Sequence, residues 1–103
     1  MNITVLGAGG WGTTLSILLH FNGHKVTLWE YDKSYAHYLQ KHHVNKTYLP
    51  NITIPSEIVI THSLKESVEH AHVIVIAIPT QFIRGALTEL KNYSFNDVTF
   101  VSV

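Results

Sequence analysis

The sequence contains no cysteine among its 103 residues, which excludes disulfide bonds, thiolate nucleophiles and cysteine metal ligands. It has no excess of either charge, because seven lysines and arginines balance seven aspartates and glutamates. This balance gives no electrostatic reason to bind nucleic acid or an anionic membrane. Long hydrophobic runs are also missing, since the longest, residues 73–78, is far too short to span a bilayer. We expect a cytoplasmic protein that binds neither nucleic acid nor a membrane.

Apolar segments with two different periods alternate along the chain. Short segments rich in apolar residues predict strands at residues 2–6, 25–29, 58–61, 73–78 and 98–103, and 73–78 is almost uniformly apolar, as expected of a central strand. Helices are predicted at residues 10–22, 34–42, 63–69 and 81–91. Strands that alternate with helices predict a parallel α/β sheet with right-handed crossovers. The last predicted strand reaches the end of the chain, which we interpret as a single domain, residues 1–103, that is incomplete at its C-terminus.

Local signals refine this prediction. Gly23 follows the first predicted helix, where a C-cap glycine is expected, and Ser63 with Glu66 has the spacing of a capping box. Residues 45–56 contain two prolines and no clear period, so we predict a loop there. In the first helix we expect one apolar stripe, formed by Trp11, Leu15, Leu18 and Leu19.

A glycine-rich segment, residues 7–12, follows the first predicted strand and opens the first predicted helix. It fits the pattern Gly-x-Gly-x-x-Gly, and an acid, Glu30, ends the second strand. Gly7 permits a tight turn, Gly9 has no side chain to keep a diphosphate away, and Gly12 lets helix and sheet approach closely. The positive end of the helix dipole would then face the phosphates. A glycine-rich turn without a ligand is the alternative, and the strand–turn–helix context favours a dinucleotide site.

The acid at the end of the second strand bears on the choice of coenzyme. Glu30 can accept hydrogen bonds from both hydroxyls of an adenosine ribose, and its charge would repel a 2′-phosphate. NAD is therefore favoured over NADP, although Lys33 could bind the 2′-phosphate of NADP. Glu30 could instead be a solvent-exposed acid at the end of a strand. In that case Tyr31 or Asp32 would bind the ribose hydroxyls.

The eight histidines are candidate metal ligands, especially the pairs His42 with His43 and His70 with His72. A zinc site would require cysteines, or two histidines one helical turn apart beside an acid. Neither pattern is present on a convincing helix, so we expect no metal.

Several segments of the chain are far more specific than the glycines alone. Among them are a tryptophan inside the glycine motif, an aromatic-Leu-Pro segment and a Pro-x-Gln segment. In chain order the segments are Val5–Thr13, Asn22–His24, Val26–Trp29, Tyr48–Pro50 and Ile78–Phe82. Together they resemble the NAD(P)-dependent glycerol-3-phosphate dehydrogenase family, and the likeness covers the whole chain.

The resemblance implies a coenzyme site and names further residues for it. Pro79 would shape the loop beneath the nicotinamide, although it could simply end a strand. The aromatic residues could likewise be ordinary packing residues. The coenzyme contacts that the resemblance implies are Gly10 and Trp11 within the glycine segment, and Tyr31, Tyr48 and Phe82 outside it.

The resemblance also implies a fold and an activity. The fold would be a Rossmann-type doubly wound parallel sheet. The reaction would convert sn-glycerol 3-phosphate and NAD(P)+ to dihydroxyacetone phosphate and NAD(P)H, which serves glycerophospholipid synthesis. A helical C-terminal domain would supply the catalytic residues and contacts for a homodimer, so no catalytic residue is expected in this chain. The alternatives are a non-catalytic NAD(H)-binding regulatory module and the coenzyme domain of another 6-phosphogluconate-dehydrogenase-like oxidoreductase.

Overall fold

Five parallel strands form the central sheet of the computed structural model, which describes all residues from 1 to 103. The strands follow the order β5-β2-β1-β6-β7, which confirms the predicted doubly wound parallel sheet. No helix has the length and apolar character needed to cross a membrane. In chain order the elements are β1 (Asn2–Leu6), α1 (Gly10–Phe21), β2 (Lys25–Trp29), α2 (Lys33–His42), β3 (Val44–Asn45), β4 (Leu49–Thr53), β5 (Val59–Thr61), α3 (Leu64–Val68), β6 (Val73–Ile76), α4 (Thr80–Leu90) and β7 (Thr99–Ser102).

The three central strands end level with one another. Leu6, the last residue of β1, is the register partner of Trp29 in β2 and of Ile76 in β6. The chain after each strand is held to its neighbour, as when the Gly7 N–H donates to the carbonyl of Trp29 at 2.9 Å. The carboxyl ends of β1, β2 and β6 therefore meet along one edge, where ligands bind in open α/β sheets.

The sheet has a hydrophobic core on each face because alternate residues of its strands point to opposite sides. In β1, Val5 belongs to one buried cluster and Leu6 to the other. The first cluster includes Leu39 of α2, and the second includes Leu64 of α3 and Leu90 of α4. Strands covered on both faces explain why their sequences are nearly uniform in apolar residues.

The buried face of α1 differs from the predicted apolar stripe. Trp11 and Leu18 are 56% and 52% exposed, so two of the four predicted residues do not pack on the sheet. The residues of α1 that are buried are Gly12, Thr13 and Ser16. Because α1 starts directly against the turn after β1, only small side chains fit between them.

The predicted loop at residues 45–56 is wrong in part, since β3 and β4 form an antiparallel hairpin there. Its register shifts between Val44 and Asn45, and most of β4 is exposed. Pro50 is tolerated because β4 is one strand of an isolated pair, where its missing N–H faces no further partner. A short exposed hairpin with an irregular register has no clear hydrophobic period, which is why the sequence did not reveal it.

Two helix ends agree with the local signals. Gly23 adopts a left-handed conformation with φ +92° directly after the C-cap of α1. Ser63 caps α3, because its hydroxyl accepts a hydrogen bond from the Glu66 N–H at 3.1 Å. The second half of the predicted capping box is absent, since the Ser63 N–H donates to the Thr61 hydroxyl at 3.0 Å instead.

Gly12 should be irreplaceable for stability, whereas Gly85 should not. A Cβ on Gly12 would overlap the carbonyl oxygen of Gly7, but a Cβ on Gly85 in α4 would meet nothing within 4 Å. Urea unfolding should show that Gly12→Ala lowers the free energy of unfolding by about 1–3 kcal/mol or more. The matched Gly85→Ala should raise it by about 0.5–1 kcal/mol. Equal effects of the two substitutions would contradict the close packing of α1.

Candidate functional site

A cleft of about 390 Å³ lies at the carboxyl ends of the central strands. It collects residues that follow β1, β2 and β6, together with the turn between β3 and β4. The predicted site residues that line it are Gly7, Gly9, Glu30, Tyr31, Tyr48, Pro79 and Phe82. Asp32, the sequence's alternative to Glu30, lines it too. Further lining residues that were not predicted as contacts are Ala8, Tyr35, Thr47 and Gln81.

The glycines of the turn have different reasons to be glycine. Gly7 has φ +117°, and a Cβ there would lie 2.5 Å from the carbonyl oxygen of Ala77. Gly12 is required by its contact with the Gly7 carbonyl. Gly9, in contrast, has an ordinary φ of −76°, and a Cβ there would meet no atom within 4 Å. The protein itself does not require glycine at position 9, so the bare backbone there fits the approach of a ligand.

The amino end of α1 opens beside this bare backbone. Gly9 is the N-cap of α1 and makes no side-chain capping hydrogen bond. The Thr13 N–H donates to the Gly9 carbonyl at 3.0 Å. The N–H groups ahead of Thr13 therefore have no carbonyl one turn back to bond to. With the positive end of the helix dipole, these donors suit an anion such as a diphosphate.

The predicted ribose-binding acid is buried in the cleft. Glu30 is only 6% exposed, so it is not a solvated strand-end acid. One of its carboxylate oxygens accepts the Asp32 N–H at 3.1 Å. Burial raises the pKa of Glu30, and hydrogen bonds from the Asp32 and Ala8 N–H groups partly oppose this shift. The Asp32 carboxylate is engaged elsewhere, since it caps α2 by accepting the Tyr35 N–H at 3.2 Å.

Two aromatic rings meet across the cleft. Tyr31 follows β2 and Phe82 lies in the first turn of α4, and their ring centroids are 4.4 Å apart with an interplanar angle of 28°. Both rings are exposed, as is Tyr48, so none of the three is a core packing residue. Pro79 is the N-cap of α4 and thus places Phe82 at the mouth of the cleft.

Three predicted contact residues do not line the cleft. Gly10 lies beside it, because a Cβ there would be 3.6 Å from the Cβ of Tyr48. Gly12 packs beneath the turn, and the Trp11 side chain is largely exposed to solvent. The backbone N–H groups of these residues still belong to the first turn of α1.

A larger groove, of about 580 Å³, lies at the opposite edge of the sheet. His20 and His24 line it, together with exposed side chains of both charges. α1 ends at Phe21, so the negative end of its dipole faces this edge. This groove lacks the bare turn and the amide donors of the cleft and is not suited to a diphosphate. Neither in this groove nor in the rest of the chain do three histidine or carboxylate side chains come together as metal ligands.

Asn45 is a buried polar residue beside the glycine turn that the sequence did not reveal. It is fully buried and donates hydrogen bonds to the Ala8 carbonyl and the Thr13 hydroxyl. It lies in the segment predicted to be a loop, where a polar residue is expected to be exposed. No signal in a single sequence marks it as buried.

Comparison with known proteins agrees with the site. The family model for the NAD-dependent glycerol-3-phosphate dehydrogenase N-terminus matches residues 2–103. A glycerol-3-phosphate dehydrogenase, NAD(P)+, of Fusobacterium nucleatum is 43% identical over all 103 residues, which correspond to 31% of its own length. The chain thus spans about a third of the length of the curated relatives it matches.

Solved structures show the same relationship. The crystal structure of glycerol-3-phosphate dehydrogenase from Coxiella burnetii is 32% identical with a TM-score of 0.89, over 98% of this chain and 32% of that one. Octopine dehydrogenase, at 20% identity and a TM-score of 0.77 over 97% of this chain and 28% of its own, shows the fold alone. The match to one family over residues 2–103 sets aside the coenzyme domain of another oxidoreductase. The chain belongs to the NAD-dependent glycerol-3-phosphate dehydrogenase family and matches its N-terminal, coenzyme-binding part.

Proposed function

We propose that the cleft binds NAD and that the whole protein interconverts sn-glycerol 3-phosphate and dihydroxyacetone phosphate. The observation that carries this proposal is the pairing of a bare Gly9 backbone at the amino end of α1 with the buried Glu30 in the same cleft. One feature suits a diphosphate and the other suits a ribose diol. Their combination is what an adenine dinucleotide requires.

The glycine turn would hold the diphosphate through main-chain donors. Gly9 leaves room for the phosphate oxygens, and the N–H groups of Gly10 and Trp11 extend the set of donors along the first turn of α1. Gly7 and Gly12 contribute indirectly, because they let α1 start directly at the end of β1. No cationic side chain is needed, which agrees with the neutral composition of the chain.

Glu30 would select the ribose. Its carboxylate can accept hydrogen bonds from the 2′- and 3′-hydroxyls, whereas a 2′-phosphate would place two anions together in a partly desolvated position. Burial raises the pKa of Glu30, and the Asp32 and Ala8 N–H groups and the charge of His62 oppose this shift only in part. This supports a preference for NAD, with weaker binding of NADP.

The aromatic residues and Pro79 would form the walls of the site. Tyr48 lies over the first turn of α1, and Tyr31 with Phe82 closes the other side. We place all three in contact with the coenzyme, and Pro79 beneath the nicotinamide. Bound NAD supplies the hydride acceptor for the oxidation of the alcohol.

Substrate binding and catalysis would belong to the roughly two thirds of the relatives' length that this chain does not match. Residues 1–103 would be the coenzyme domain, and a helical substrate domain would supply the catalytic residues. A homodimer formed through that domain, a role in glycerophospholipid synthesis and a cytoplasmic location are parts of the same proposal, which extends from the family membership.

Replacement of Gly9 by valine should abolish coenzyme binding without unfolding the chain. The Cβ of the new side chain would meet no protein atom within 4 Å, and its branches would occupy the diphosphate position. A calorimetric titration with NADH should show that the affinity falls by about 100-fold or more, which corresponds to about 2.7 kcal/mol. Gly85→Val, at an equally open glycine that does not line the cleft, is the control and should bind as the wild type does. Unchanged affinity in a folded Gly9→Val chain would contradict the diphosphate site.

A chimera tests the reaction itself. These 103 residues would replace the matching residues of the Fusobacterium nucleatum relative, to which they are 43% identical. We expect the chimera to oxidise NADH in the presence of dihydroxyacetone phosphate. A chimera that binds NADH but leaves dihydroxyacetone phosphate unreduced would contradict the proposed reaction and favour a non-catalytic NAD(H)-binding module.

Glu30→Gln should stabilise the free chain and weaken coenzyme selection. Because burial raises the pKa of Glu30, the folded chain binds a proton at higher pH than the unfolded chain, so the wild type gains stability as the pH falls through that pKa. At neutral pH the variant should therefore unfold at a higher temperature, and this difference should shrink on acidification. The NADH to NADPH affinity ratio should fall by about tenfold, or about 1.4 kcal/mol.

The control for Glu30→Gln is Glu69→Gln, which removes an exposed carboxylate at the end of α3. It should change neither the pH dependence of unfolding nor the coenzyme ratio. If Glu30→Gln behaves in the same way, Glu30 does not select the coenzyme.

A further inference from the structure

The amide of Asn45 uses its full hydrogen-bonding capacity inside the protein. Its Nδ2 donates to the Ala8 carbonyl at 2.8 Å and to the Thr13 hydroxyl at 2.9 Å. Its Oδ1 accepts from the Tyr35 hydroxyl and from the Tyr48 N–H, the latter at 3.3 Å. The side chain has no exposed surface. Since a carbonyl can only accept, the contact with Ala8 fixes which end of the amide is the nitrogen.

The bond to Ala8 controls one peptide group of the glycine turn. The carbonyl of Ala8 and the N–H of Gly9 belong to the same planar trans peptide, so they point in opposite directions. Because Asn45 holds the carbonyl towards the buried interior, the Gly9 N–H is directed away from that interior. Gly9 lines the cleft and has open space around it.

This peptide would otherwise be able to turn over. A rotation of the Ala8–Gly9 peptide changes ψ of Ala8 and φ of Gly9, and glycine accepts positive φ at little steric cost. The reversed orientation would put a carbonyl oxygen, with its partial negative charge, on the side where the diphosphate lies. The flexibility that lets Gly9 accept a ligand therefore creates a need for a group that fixes the orientation of the peptide.

The same amide also fixes the wall of the cleft opposite the turn. The Tyr48 N–H bonds to both the side-chain and the main-chain oxygen of Asn45, at 3.3 and 3.2 Å. The Tyr35 hydroxyl donates to Asn45 and accepts the Thr47 N–H at 3.2 Å. Asn45 thus ties the glycine turn to the β3–β4 turn that carries Tyr48.

We infer that Asn45 is a positioning residue of the coenzyme site: it holds the Ala8–Gly9 peptide with its N–H, rather than its carbonyl, available to the diphosphate. This inference rests on the proposed function of the cleft. Asn45 itself does not contact the coenzyme, and it acts through the Ala8 carbonyl.

The test replaces Asn45 by an isosteric acid. Asn45→Asp removes both donors and places a carboxylate against the Ala8 carbonyl, so NADH affinity at about pH 8 should fall by about tenfold or more. Protonation restores one donor, so affinity should recover towards about pH 5, because burial raises the pKa of such a carboxyl group. Affinity is expressed relative to the wild type at each pH, since the other ionisable groups around the cleft, Glu30, Asp32, Tyr31, Tyr35 and Tyr48, and the histidines are the same in both chains.

A second readout follows the peptide directly. In the absence of coenzyme, the 15N–1H resonance of Gly9 should move in Asn45→Asp at about pH 8 and return on acidification. Gln40→Glu is the matched control, because it also replaces an amide that donates to a main-chain carbonyl, that of Ile60 at 2.7 Å, but outside the cleft. It should leave both the Gly9 resonance and the NADH affinity unchanged. Asn45→Ala should lose affinity at every pH, without recovery.

The outcomes separate this inference from the proposed function. If the wild-type chain fails to bind NADH, the proposed function is wrong, and the Gly9 resonance still reports whether Asn45 fixes the peptide. If the wild type binds and folded Asn45→Asp shows the same affinity and the same Gly9 resonance at about pH 8, the inference is wrong. A loss of affinity in Asn45→Asp that does not recover on acidification would also overturn it.

Discussion

The contact between Gly7 and Gly12 is the constraint on which the site depends. The carbonyl of Gly7 lies so close to Gly12 that no side chain fits between the end of β1 and the first turn of α1. This approach places the positive end of a helix dipole directly at the edge of the sheet. It also explains why the fully buried residues of α1 are small, whereas Leu15, Ile17 and Leu19 pack against the core only partly buried. Stability and the proposed ligand binding therefore depend on the same piece of backbone.

The residues around this turn have opposite effects on the stability of the folded chain. Gly12 and Asn45 stabilise the folded chain, by close packing and by buried hydrogen bonds. Glu30 is a buried carboxylate, held by two main-chain N–H groups, whose raised pKa shows that its charge is disfavoured there. Gly9 serves no packing requirement. Features that do not help the fold, such as Glu30 and Gly9, are the ones that a bound dinucleotide would explain.

The strands, the glycine turn and Glu30 could be predicted because their signals are local, each visible within a few residues. The other predicted residues of the cleft were named through the family resemblance and not by a local pattern. The burial of Asn45 and the exposure of Trp11 could not be predicted, since both depend on how distant segments pack. The Tyr31–Phe82 pair joins residues 51 positions apart, and no periodicity in the sequence connects them. The hairpin around Asn45 was missed because its strands are short and β4 is largely exposed.

The central claim is that main-chain amides at the end of β1 bind a dinucleotide diphosphate. This claim is tested at the resolution of single amides by recording 15N–1H correlation spectra of the 15N-labelled chain during a titration with NADH. We expect the N–H resonances of Gly9, Gly10 and Trp11 to shift the most and to saturate together. Unshifted resonances at this turn, or largest shifts at His20 and His24 in the groove on the opposite edge, would contradict it.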